Sequence, residues 1–125
     1  MPQAEARTIA DLTALNYVDR HIHAHYAAVH RTDELQAGIY VLEPGGRIPS
    51  HRHSKSWDFA VVLDGEIEAR IGEGASARVV RCAAHAINLV PPGMVHEISN
   101  MSDTPARFLL VQSPARGFDF LRTAG

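Results

Sequence analysis

Short apolar runs, cut at close intervals by turn-forming residues, constrain this chain more than any other feature. Glu43-Pro44-Gly45-Gly46, Asp64-Gly65 and Pro91-Pro92-Gly93 interrupt the apolar pattern. Glycine supplies positive φ and proline a fixed φ, so such clusters break helices and long strands alike. The spacing predicts strands over 20–31, 35–43, 47–53, 58–63, 66–71, 77–82, 86–90, 95–99 and 106–112. Residues 61–71, VVLDGEIEARI, read as the clearest hairpin, with Asp64-Gly65 as its tight turn. Beyond that turn Ile67, Ala69 and Ile71 alternate with Glu66, Glu68 and Arg70, which gives one packed face and one wet face. Regular short strands with frequent turns predict an all-β antiparallel sandwich or barrel. Short helical segments are expected at the ends. One is RTIADLTAL, residues 7–15; the other is in the last segment, where Phe118 and Leu121 have helical spacing, with a partly ordered tail as the simpler alternative.

The 125 residues are a normal length for one domain, and 46% hydrophobic content is ordinary for a buried core. A net charge of -2 and a pI near 6.4 give no reason to expect a nucleic-acid partner. No apolar run is long enough to span a bilayer, and the first residues lack the basic-then-apolar pattern of a secretory signal. Cys82 is the single cysteine and cannot form an internal disulfide, so a cytoplasmic setting is expected. Cys82 itself reads as a small core residue.

Eight histidines are the unusual count. His51 and His53 are two apart, so on an extended segment their side chains leave the same face. Asp58 begins the apolar strand DFAVVL, and His96 follows the Pro91-Pro92-Gly93 turn. An isolated His-x-His on a polar turn is ordinarily a surface feature. Three imidazoles and one carboxylate on rigid strands would instead make a four-ligand site for a divalent ion such as Fe, Mn, Ni, Co or Zn, with water completing an octahedron. His21, His23 and His25 also alternate, with Ile22, Ala24 and Tyr26 opposite. No later carboxylate or histidine pairs with them, so they read as a polar strand face at an edge or a subunit contact. His85 reads as a surface turn residue and Glu97 as solvated. Tyr40 and Gln112 are polar members of apolar strands and are candidates to face a cavity.

The spacing is similar to a family pattern. Gly45, five residues, His51-x-His53, four residues, Asp58, six residues and Gly65 resemble the first cupin motif. Pro91-x-Gly93, two residues, His96, three residues and Asn100 resemble the second. Position 85 carries His where the second motif usually begins with Gly, and position 58 carries Asp where most metal-binding members carry Glu. The resemblance implies a small single-domain type-2 cupin, with its barrel over about 35–113. The fold it implies is an antiparallel double-stranded β-helix, a jelly roll. It also implies a metal held by His51, His53, Asp58 and His96. The expected function is that of an enzyme on a small oxygenated organic substrate that chelates the metal, either dioxygenase-like or a lyase, isomerase or cyclase. A non-catalytic ligand-binding or sensor protein is the alternative. Small cupins commonly pair through their sheets. Residues 36–43, QAGIYVLE, are apolar on both faces, so a homodimer is expected.

Overall fold

The computed structural model describes residues 5–123. The strands are β1 (Val18–Arg31), β2 (Gln36–Arg52), β3 (Trp57–Asp64), β4 (Glu66–Ile71), β5 (Arg78–Ala83), β6 (Ile87–Val90), β7 (His96–Ser99), β8 (Ala106–Ser113) and β9 (Leu121–Arg122). They hydrogen-bond in the order β5-β4-β7-β2-β8-β3-β6, and β1 and β9 also pair with β2. The ladders are antiparallel and the sheet curls into a nearly closed jelly-roll barrel, as expected. Its interior is filled by alternate residues of facing strands. Leu42, Val62, Ile67 and Phe108 are fully buried, and Ile98 and Ala69 pack with them.

Four local expectations are corrected. The turn at Glu43–Gly46 does not end a strand: 36–52 is one long β2 that bends there. Gly45 takes φ 81°, and a Cβ at Gly46 would meet the His23 carbonyl at 2.5 Å. Both positions therefore require glycine.

Asp64-Gly65 is not a hairpin turn. β3 pairs with β6 and β8, whereas β4 pairs with β5 and β7. The Asp-Gly step is thus a corner that carries the chain from one side of the barrel to the other. Gly65 alone has positive φ there (72°), whereas the tight hairpin turn that Asp-Gly favours needs positive φ at both residues. The true hairpin is β4–β5, closed by residues 72–77.

The C-terminal segment forms no helix. Phe118 N–H closes a turn on the Ala115 carbonyl, and the chain then runs extended into β9 beside His51 and Arg52. Phe118 and Phe120 are two apart on that extended run, so the working period is 2, not 3.6. At the other end the helical expectation shrinks to one 3-10 turn, Leu12–Ala14, capped by the Asp11 carboxylate on Thr13 N–H at 2.9 Å.

In β1, His21, His23 and His25 do not share a face. The register slips between Ile22 and Ala24, where His23 adopts φ 48°. Such a bulge reverses the alternation. Ala24 is consequently buried, Ile22 is exposed, and His21 turns inward with Tyr26. His25 faces outward and pairs with Asp19 at 2.6 Å.

Candidate metal centre

Three strands bring the four predicted residues together. His51 lies near the end of β2 and is the cross-strand partner of His96 on β7. His53 follows β2 by one residue and so projects to the same side. Asp58 enters from β3. The Pro91–Gly93 turn is docked by Gly93 N–H on the His53 carbonyl at 2.7 Å, which fixes the start of β7 relative to His53. Asn100 is fully buried and is a pin: its amide donates to the Leu42 and Thr104 carbonyls, while its carbonyl oxygen accepts from Ser102. The backbones of Gly45, Gly46 and Asn100 clasp each other at 2.9 Å, so the two motifs are joined at their outer ends as well.

All four side chains are buried, and one ligand atom from each lies within 4.8 Å of the others. The imidazoles are oriented by backbone carbonyls. His51 Nδ1 is 2.6 Å from the Pro49 oxygen, His53 Nδ1 2.6 Å from the Asp119 oxygen, and His96 Nδ1 2.9 Å from the Met94 oxygen. A carbonyl only accepts, so each Nδ1 carries the proton and each Nε2 is left as a lone-pair donor when the ring is neutral.

Asp58 Oδ2 lies 2.9 Å from His96 Nε2 and 3.3 Å from His53 Nε2. With Nδ1 already protonated, a neutral ring would present a lone pair to the carboxylate. These contacts therefore call for a cation between the groups, either a proton on the ring or a metal ion. His53 Nε2 and Asp58 Oδ1 are buried with no hydrogen-bond partner among the described residues, a cost that coordination would remove. The spacing agrees with a metal: two ligands at about 2.1 Å from one ion, at right angles, are roughly 3 Å apart. The shorter carboxylate of Asp58 thus reaches the imidazole nitrogens. The residues present fit a divalent ion.

Electrostatics divides the imidazoles. Burial and the neighbouring His96 push His51 down to about 3, so it stays neutral. Burial acts the same way on His53, but the Asp58 carboxylate outweighs it and raises its pKa. Burial alone would raise Asp58; its contacts with His53 and His96 overcome this and hold it well below the usual carboxylate range.

A cavity of about 300 Å³ opens over the cluster. Tyr40 and Gln112 both line it, as expected, and Gln112 accepts a hydrogen bond from Gln36 at 2.6 Å. Burial lifts the Tyr40 phenol far above its ordinary range, so it stays protonated and is no base at neutral pH. Trp57 lies on the outside, 41% exposed; His85 is exposed, Glu97 pairs with Arg47 at 3.6 Å, and Cys82 is buried.

The sequence reading missed the 118–120 segment. Asp119 gives His53 its carbonyl partner, and its carboxylate accepts from Ser54 N–H at 2.7 Å. Phe120 is stacked between His51, at 4.0 Å, and His21, at 5.2 Å; Phe118 packs on His53 at 4.9 Å. The alternation Phe-Asp-Phe was available as a signal for the two rings. The Asp119 contact is made by backbone, which no residue type encodes.

A nearly closed antiparallel barrel with three inward histidines and a carboxylate at one cavity defines a class of metal-capable β-barrel proteins. Residues 38–112 match the family described as Cupin domain, and the chain belongs to that family. No curated protein matches the sequence. Among solved structures, an uncharacterized conserved protein with a double-stranded beta-helix domain from Klebsiella pneumoniae is 26% identical. That match covers 95% of this chain and 100% of the other, with a TM-score of 0.79. TT1209 from Thermus thermophilus is 28% identical over 85% of this chain and 96% of its own, with a TM-score of 0.71. An oxalate decarboxylase from Lactobacillus farciminis is 23% identical; 82% of this chain covers 32% of that one, with a TM-score of 0.69. That last likeness shows the fold alone.

Proposed function

We propose that this cupin is a metal-dependent enzyme acting on a small oxygenated organic molecule, with His51, His53, Asp58 and His96 as ligands. The observation that carries the reading is the set of three carbonyl-tethered imidazoles around a carboxylate with an unpartnered buried oxygen. Imidazole and carboxylate suit Fe, Mn, Ni, Co or Zn. A divalent ion held there would polarise a bound oxygen and, if redox-active, open dioxygenase chemistry as well as lyase, isomerase or cyclase chemistry.

The chain's own residues do the rest. The carbonyls of Pro49, Met94 and Asp119 hold the ligand tautomers. Phe118 and Phe120 shield the imidazoles from water, and Gln36 and Gln112 offer fixed amide contacts to a bound molecule. Asp58 brings negative charge to balance a divalent ion among three neutral donors.

Elemental analysis of protein purified without added metal tests the reading. About one equivalent of a transition metal is expected, lost in His51→Ala, His53→Ala and His96→Ala and weakened in Asp58→Asn. His23→Ala and His25→Ala should retain it. Metal lost with the His23 or His25 variants, or none bound by wild type after reloading, would overturn the assignment. Oxygen uptake or its absence with a turned-over substrate then separates the dioxygenase from the non-redox classes, and tight binding without turnover indicates a ligand-binding or sensor protein.

A further inference from the structure

The cavity over the cluster is basic at its rim. β1 supplies Arg20, His21, His30 and Arg31 to its lining, and Asp58 is the one carboxylate there among the described residues. Exposed arginines are ordinarily solvated, but several features set this pair apart. Arg20 and Arg31 face no carboxylate within 4.0 Å among the described residues; Arg7, Arg52, Arg70, Arg78 and Arg122 face none either, but of the arginines only Arg20 and Arg31 line the cavity. The Arg20 guanidinium sits over the Tyr26 ring, 5.0 Å from its centre, which holds it against the cavity wall.

The imidazoles add donors. A guanidinium nitrogen of Arg7 is 3.1 Å from His30 Nδ1. Guanidinium only donates, so Nδ1 accepts and His30 keeps its proton on Nε2. His21 was turned inward by the β1 bulge; burial and the charges of Arg20 and Arg122 lower its pKa, so it is neutral. Below the rim the wall becomes apolar and aromatic, through Phe108, Leu110 and Phe120.

We propose that the substrate class is a small organic carboxylate with a flat apolar body, its anionic end held at Arg20 and Arg31 and its oxygen donors at the cluster. This rests on the cluster being a metal centre. The arginines supply planar, permanently charged donors that match a carboxylate, and the aromatic wall supplies the apolar contact. A neutral amide of the same shape loses the charge while keeping the size.

The test uses 3,4-dihydroxybenzoate and 3,4-dihydroxybenzamide, titrated calorimetrically into the zinc-loaded protein. The acid should bind about tenfold more tightly than the amide, with a preference that shrinks as salt rises. Arg20→Gln with Arg31→Gln should abolish the preference and leave amide affinity unchanged. Arg78→Gln, on exposed β5, should leave both affinities unchanged. Equal affinities in wild type, a preference that survives the double variant, or no binding by zinc-loaded protein would each overturn the proposal. Zinc content measured on the same samples separates the two claims. If zinc is not retained, the reading of the cluster fails, and the acid–amide comparison on metal-free protein still judges the rim.

Discussion

Single residues carry much of what is unusual in this barrel, and His85 is the simplest case. It holds φ 79°, a left-handed conformation that an L side chain resists. The family motif usually places glycine at this position, and the backbone explains why. His85 is exposed, so its ring offers little in return. His85→Gly should stabilise the protein by about 1 kcal/mol, raising Tm by about 4 °C; a lower Tm in differential scanning calorimetry would show that the ring makes a compensating contact.

His51 supplies a pH-dependent term. Its folded pKa of about 3 lies below the ordinary 6.5, so between those values the unfolded chain binds more protons. Metal-free stability should therefore fall as pH drops from 6.5 toward 3. Asp58, also depressed, contributes in the same direction only below its ordinary 3.8. His53 is raised, so its contribution is complete below 6.5 and is lost as pH climbs through its folded value. Urea unfolding in chelator at pH 7 and pH 4.5 should show a smaller loss for His51→Asn than for wild type. An equal loss in both would place the acid sensitivity elsewhere.

Among the elements, legibility depended on whether the deciding contact was local. The strands that carry the candidate ligands were legible because alternation and turn residues are written within a few positions: His51, His53, Asp58 and His96 come together as the motif spacing implied. The pairing of β3 and β4 was not. Asp64-Gly65 dictates a sharp change of direction, and only the long-range partners β8 and β7 decide whether that change is a hairpin or a corner. The β1 bulge was hidden for a similar reason, since His23 is no glycine and nothing local announces its positive φ.

The C-terminal strap was misread because Phe118 and Leu121 fit a helical period as well as Phe118 and Phe120 fit an extended one. That strap makes a specific claim possible. It gives His53 its carbonyl partner and His51 its stacked ring. Truncation after Gly117 should lower metal affinity by about 10–100-fold, the range for losing a ligand's supporting partner. Chelator competition measures it, and unchanged affinity would mean that the strap only covers the site.

At the scale of the whole molecule, the expected assembly acquires a different surface. On the face of β2 that carries Ala37, Ile39 and Val41, Ile39 is only 2% exposed within one chain and Ala37 and Val41 are half-buried, so little of this face is left for a second subunit to cover. Trp57, Phe59, Ile87 and Leu89 are exposed instead, and Phe59 and Leu89 are register partners on adjacent β3 and β6. We propose that two copies pair through this apolar sheet face, which a solitary subunit would leave in water. Light scattering should give twice the 13.7 kDa chain mass at micromolar concentration, and Leu89→Lys should reduce it to one. A wild-type mass of one chain would end the proposal. Among the described residues no helix is long and apolar enough to cross a membrane.

The hydrogen bond from His53 to Asp119 joins positions 66 residues apart, and this bears on how the protein is made. Synthesis is vectorial, proceeding at about 5–20 residues per second. All four side chains of the candidate metal centre are made before residue 119. For several seconds a nascent chain therefore presents histidines and a carboxylate whose second brace does not yet exist. Ions captured in that interval meet a looser cage than the finished one. If the cluster holds a metal, as proposed, exchange should be quick on the ribosome and slow once the Asp119 carbonyl has reached His53.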